Sequence, residues 1–125
     1  MDQVKAYTLH EEHTGWLNKL HFYTDDLAVL QKQLELVVSK NNAPEFLALA
    51  EHFQNQFIMR KEQIDELRHA IKEHENYIES KVDTNPAAAH VSLHDHTKER
   101  NTVDSFEEAF NSLRREFIGF LSKYM

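Results

Sequence analysis

The chain has no cysteine, so disulfides, thiolate metal sites and cysteine nucleophiles are all excluded. Glycine and proline number only 2 each in 125 residues. All-β folds depend on tight turns built from residues that tolerate φ > 0 or preset φ. With so few of either, such folds are close to excluded. No run of about 18 apolar residues occurs, so no helix is expected to span a bilayer. Positive charge is also scarce: Lys+Arg is 14 against Asp+Glu 21, a formal charge of −7. A duplex nucleic acid needs a positive surface to displace its counterions, and an anionic membrane surface attracts the same residues. Neither partner is expected. Residues Met1 to Lys5 show no basic segment leading into an apolar stretch, the mark of a secretory signal, so the expected location is cytoplasmic. No nucleophile elbow, glycine-rich phosphate loop or Ser/His/Asp pattern is present, and nothing positive argues for an enzyme.

What remains is a soluble chain, 41% hydrophobic and 28% charged, of one-domain length over residues 1–125. Three long segments carry helical periodicity and none carries sustained strand alternation. The first spans about 9–40, opened by a capping box at Thr8 and Glu11. Leu17, Leu20, Leu27, Leu30, Leu34 and Val37 form its inward stripe, at steps of three and four. The second spans about 43–80, with Asn42 as N-cap and Pro44 in the first turn. Phe46, Ala50, Phe53, Phe57, Arg60, Ile64, Leu67, Ile71, His74 and Ile78 form its stripe. A connector from Val82 to His96 leads to the third, about 95–123, striped by Val103, Phe106, Phe110, Leu113, Phe117 and Phe120. The short link at Asn41-Asn42 makes the first two helices antiparallel. The fold class is therefore all-α: an elongated antiparallel up-down-up bundle. Phe22, Val29 and Leu36 form a second apolar line at heptad spacing, and Leu47, Ile58 and Met59 also fall off the main stripes. Three helices cannot hide them all, so a homodimer is expected. Gly15 and Gly119, both inside helices, are expected to permit close helix approach. Arg60, on an inward stripe, needs a partner, with Asp26 or Glu116 in range.

Histidine is the outlier, at 9 residues. Protonating all nine would carry the formal charge from −7 to +2, and histidine titrates near pH 6.5, close to physiological pH. With the chain folded back at Asn41-Asn42, residues whose numbers sum to about 83 lie level. His10 then stands level with Glu73 and His13 with Ala70, while His94 and His96 arrive at the same end. His10, His13, His74 and His96 extend the apolar stripes of their helices by whole steps, and Glu99 extends the third. Imidazole and carboxylate suit Zn, Fe, Ni or Mn, and bundle interiors are built into such sites from facing helices. The candidate metal ligands are thus His10, His13, His74, His96 and Glu99. His52 and His69 fall off the stripes.

Local motifs add little. His10-Glu11-Glu12-His13 is one residue short of the H-E-x-x-H zinc helix. Glu66-Leu67-Arg68-His69 is a single Glu-x-x-His unit where di-iron bundles use two. A helix-one histidine followed by His69-x-x-x-Glu73 and His90-x-x-x-His94 resembles part of the hemerythrin pattern. That resemblance implies a four-helix bundle with a carboxylate-bridged di-iron site that binds oxygen. It covers those positions alone. The family's last-helix His-x-x-x-x-Asp unit is absent, since no histidine follows His96, and the oxygen chemistry is not carried over.

Two functions fit the sequence. One is a transition-metal-binding bundle with its ligands clustered at one end. The other is a non-enzymatic, oligomeric interaction or structural module that docks a protein partner and whose histidines form a pH-sensitive polar layer.

Overall fold

The structure, a computed structural model, describes the backbone of residues 3–81 and 86–125 and the side chains of residues 7–78 and 96–125. Three helices pack together: α1 (Gln3–Val38), α2 (Pro44–Lys81) and α3 (Pro86–Tyr124). No strand occurs among the described residues. At 1.5 Å per residue each helix is roughly 55 Å long.

The helix boundaries correct the sequence reading in three places. α1 starts at Gln3 rather than near residue 9. Nothing in Val4-Lys5-Ala6-Tyr7 breaks a helix, so Thr8 lies inside it and cannot cap it. α2 starts at Pro44, and the carbonyl of Ala43, not Asn42, accepts its first bond from the Leu47 amide at 2.9 Å. α3 starts at Pro86, not near residue 95. Proline is well placed at a first helical position, where its missing N–H has no partner to lose. The Ala87-Ala88-Ala89 run that follows has the highest helix propensity available. The long connector expected over 82–96 is therefore mostly helix. Asn41 closes α1 by donating from Nδ2 to the Val37 carbonyl at 2.9 Å, and a longer bond of 3.4 Å reaches the Tyr124 carbonyl at the end of α3.

The predicted stripes form the core. Leu20, Phe57, Ile71, Phe110 and Phe117 are fully buried, and seven of the eight phenylalanines are buried, all but Phe22. Their rings interlock between α2 and α3: Phe46 stacks on Phe120 at 5.4 Å, and Phe53 and Phe57 meet Phe117 edge-on at 5.2 and 5.1 Å. Polar ties hold α1 to α3, with Lys19 to Glu107 at 3.1 Å and Asp26 to Arg114. That second pair replaces the Arg60 partner expected from sequence. Arg60 instead donates to Gln63 at 2.6 Å and Gln56 at 3.3 Å on its own helix, because its half-buried stem carries the guanidinium along α2. Gly15 and Gly119 also depart from expectation. A Cβ at either would meet nothing within 4 Å, so neither mediates a close approach.

Candidate metal centre

Four of the five predicted site residues converge. His13 from α1, His74 from α2, and His96 and Glu99 from α3 place one donor atom each within 4.8 Å of the others. Each falls on the line of an apolar stripe at helical steps of three or four, so the packing that buries the leucines and phenylalanines also carries these side chains inward. On α3 the spacing His96-x-x-Glu99 puts both groups on one face. His13 is 1% exposed, His96 2% and His74 8%. Glu99 is half-buried.

The separations suit a common ligand. His13 Nε2 is 3.1 Å from His96 Nδ1 and 3.3 Å from Glu99 Oε2, and His74 Nδ1 is 3.0 Å from that same oxygen. Donors about 2.0–2.1 Å from a tetrahedral ion stand about 3.3 Å apart. Three of the contacts are already near that edge length. The widest spacing would have to close by roughly 1.5 Å, within reach of a side-chain rotation. Nε2 of His74 is buried with no partner among the described residues, and His74 Nδ1, His96 Nε2 and Glu99 Oε2 have only carboxylate–imidazole contacts outside hydrogen-bond geometry. Buried polar atoms are paired in the great majority of cases, and an ion held by one nitrogen of His74 and by Glu99 would satisfy those two groups.

Carboxylates stand behind the imidazoles. Glu75 spans two histidines: Oε2 meets His13 Nδ1 at 2.5 Å and Oε1 meets His10 Nδ1. Glu12 Oε1 lies 3.4 Å from His96 Nε2, off the line of a hydrogen bond, and is itself held by Arg100 at 2.8–3.1 Å. Trp16 closes the α1 side, stacked on His96 at 4.7 Å and tilted against His13 at 5.4 Å.

These neighbours set the electrostatics. Burial disfavours a charged His13, but the Glu99 and Glu75 carboxylates beside it outweigh that and raise its pKa. Burial lowers the pKa of His96, and the adjacent His13 pushes the same way. Burial opposes ionisation of Glu99 and Glu75, yet the histidines they touch hold both below the ordinary carboxylate value. Glu12 is held down likewise, chiefly through its bond with Arg100.

His10, the fifth predicted ligand, is not in the group. Its side chain is 56% exposed and its Nδ1 engages Glu75. Sequence reasoning paired it with Glu73; the helices are offset by about half a turn from that register, and Glu73 instead bonds His69 along α2 at 3.0 Å, both exposed. Glu75 was missed because it follows His74 and falls off the apolar stripe, although its number lies within a turn of the level assigned to His10. His52 and His69 are exposed, as expected. The side chains of His90 and His94, which carry part of the hemerythrin-like spacing, lie outside the described residues.

No family model, curated protein or solved structure matches the chain. The roles of these residues therefore rest on the geometry itself.

Proposed function

We propose that this protein is a metal-binding helical bundle in which His13, His74, His96 and Glu99 hold one Zn, Fe, Ni or Mn ion. The observation that carries the reading is the convergence of three imidazoles and a carboxylate, from three helices, with donor atoms within 4.8 Å. Glu75 behind His13 supports it, because an outer carboxylate hydrogen-bonded to a ligating histidine fixes its tautomer and orientation. The bundle runs up-down-up with antiparallel neighbours, and the metal sits at one end. In support, contacts of α2 with α3 pair rising with falling numbers, from Phe46 with Phe120 to His74 with Glu99. Contacts of α1 with α3 keep one offset at Glu12–Arg100, Lys19–Glu107 and Asp26–Arg114.

The test is metal analysis of the full chain, stripped with chelator and reloaded with each of the four ions in turn. One ion per chain is expected. At a free ion concentration 100 times Kd, stabilisation is about 2.7 kcal/mol. For a domain of this size that raises Tm by roughly 10 °C. His74→Gln should abolish most of the rise. Absence of bound ion and of any Tm change with all four ions would overturn the reading.

A second reading, the self-associating module, is favoured by one observation. Phe22, Val29 and Leu36 are each more than half exposed along α1, at heptad spacing. The two readings are compatible. A dimer in sedimentation analysis that Val29→Glu converts to monomer supports the second, and monomeric wild-type protein removes it.

A further inference from the structure

The proposed centre is closed on one side and open on the other. On the α1 side, His13 and His96 are almost fully buried beneath Trp16. On the opposite side, His74 and Glu99 form part of the wall of a groove between α2 and α3, about 570 Å³ in volume. Lys98, Thr102 and Ala70 line the same groove. The groove continues along both helices into a neighbouring cavity of about 520 Å³, which shares Leu67, Ala70 and Thr102 with it. The gap between the two helices stays unfilled here because small side chains line it: Ala70 from α2, and Thr102, Ser105 and Ala109 from α3.

We infer that an ion at this centre keeps one coordination position directed into the α2–α3 groove and takes a small monodentate anion there, with the Lys98 ammonium as the second positive group. The inference rests on the metal-binding reading and adds an exchangeable ligand to it. Three imidazoles and one carboxylate leave room for a fifth donor on Zn or on the more expansible Fe, Ni and Mn ions. Among the four ligands, His74 and Glu99 are the two that line the groove, so a donor entering along it reaches the ion past them. A divalent ion beside an ammonium favours an anion, and the groove admits one of a few atoms without moving a helix. Glu73, on the same wall, carries negative charge, but it is engaged by His69.

Cobalt(II) provides a visible probe of coordination, and azide a small anion. The full chain loaded with cobalt(II) and titrated with sodium azide should show a saturable change in its visible spectrum. Ala70→Phe, which fills the groove from an exposed position, should weaken azide at least tenfold while leaving cobalt stoichiometry unchanged. Lys98→Met should weaken it severalfold. If Ala70→Phe does not fold, as judged by helical circular dichroism, Thr102→Phe blocks the same groove from the other helix. Cobalt bound at one per chain with no azide-dependent change overturns the exchangeable position and leaves the metal site standing. An azide response unaltered by the groove-filling variants and by Lys98→Met also overturns it, since the anion then binds elsewhere. Failure to bind cobalt at all removes the metal-binding reading and this inference with it.

Discussion

Replacing Glu75 by glutamine separates a built metal site from a chance meeting of histidines. The carboxylate uses both oxygens, one on His13 Nδ1 and one on His10 Nδ1. Glutamine keeps a single acceptor oxygen, and its amide nitrogen cannot accept from an imidazole N–H. At least one contact is lost, and so is the negative charge that makes His13 a stronger donor to a cation. Loss of such an outer partner weakens metal binding about 10–100-fold, or roughly 1.4–2.7 kcal/mol. One effect runs the other way. Glu75 helps raise the pKa of His13, so its removal also eases competition from the proton. Measuring at pH 8, above the ordinary histidine value of about 6.5, reduces that competition. The assay is a competition titration of zinc between the full chain and a chromophoric chelator. His10→Ala is the control: His10 is exposed and outside the donor group, so its loss should change affinity less than about threefold, the size of a surface charge effect. Wild-type affinity in Glu75→Gln, or an equal loss in His10→Ala, would refute the assignment of Glu75 to His13.

The remaining predictions concern the metal-free protein. In it, His13 should titrate above and His96 below the ordinary histidine value, which NMR of the imidazole protons can resolve; the reverse order would contradict the geometry. The stability consequences have opposite signs. His13, with a raised folded pKa, adds stability below its unfolded value of about 6.5 and loses it as pH rises through the folded value. His96, Glu99 and Glu75 have depressed folded values, so their contributions are present above the unfolded values and lost as pH falls through the folded ones. Urea midpoints should therefore fall steeply on acidification through the carboxylate range, and change little near pH 6.5, where the two histidines oppose each other. Gly15→Ala and Gly119→Ala should each stabilise by about 0.4–1 kcal/mol, because the added methyl meets nothing within 4 Å; a lowered urea midpoint would show hidden contact. Phe57→Ala, at a fully buried ring between Phe53 and Phe117, should cost about 3–5 kcal/mol, and a loss below 1 kcal/mol would deny that this ring is core.

Periodicity alone determined the three helices, their buried faces and the inward aim of His13, His74, His96 and Glu99. A side chain's direction around a helix follows from its number, and a step of three or four repeats that direction. The same rule correctly left His52 and His69 outside. It aimed His10 inward as well, and there the tertiary structure decided otherwise: the ring is largely exposed and its Nδ1 turns to Glu75 of α2. Tertiary structure alone also decided that Glu75 backs His13, that Trp16 lies on His96, and that Arg114 rather than Arg60 meets Asp26. Each of these depends on the relative height and rotation of two helices. Those are fixed by how whole faces of leucine and phenylalanine interlock, at a precision of an ångström or two that counting along one chain cannot reach.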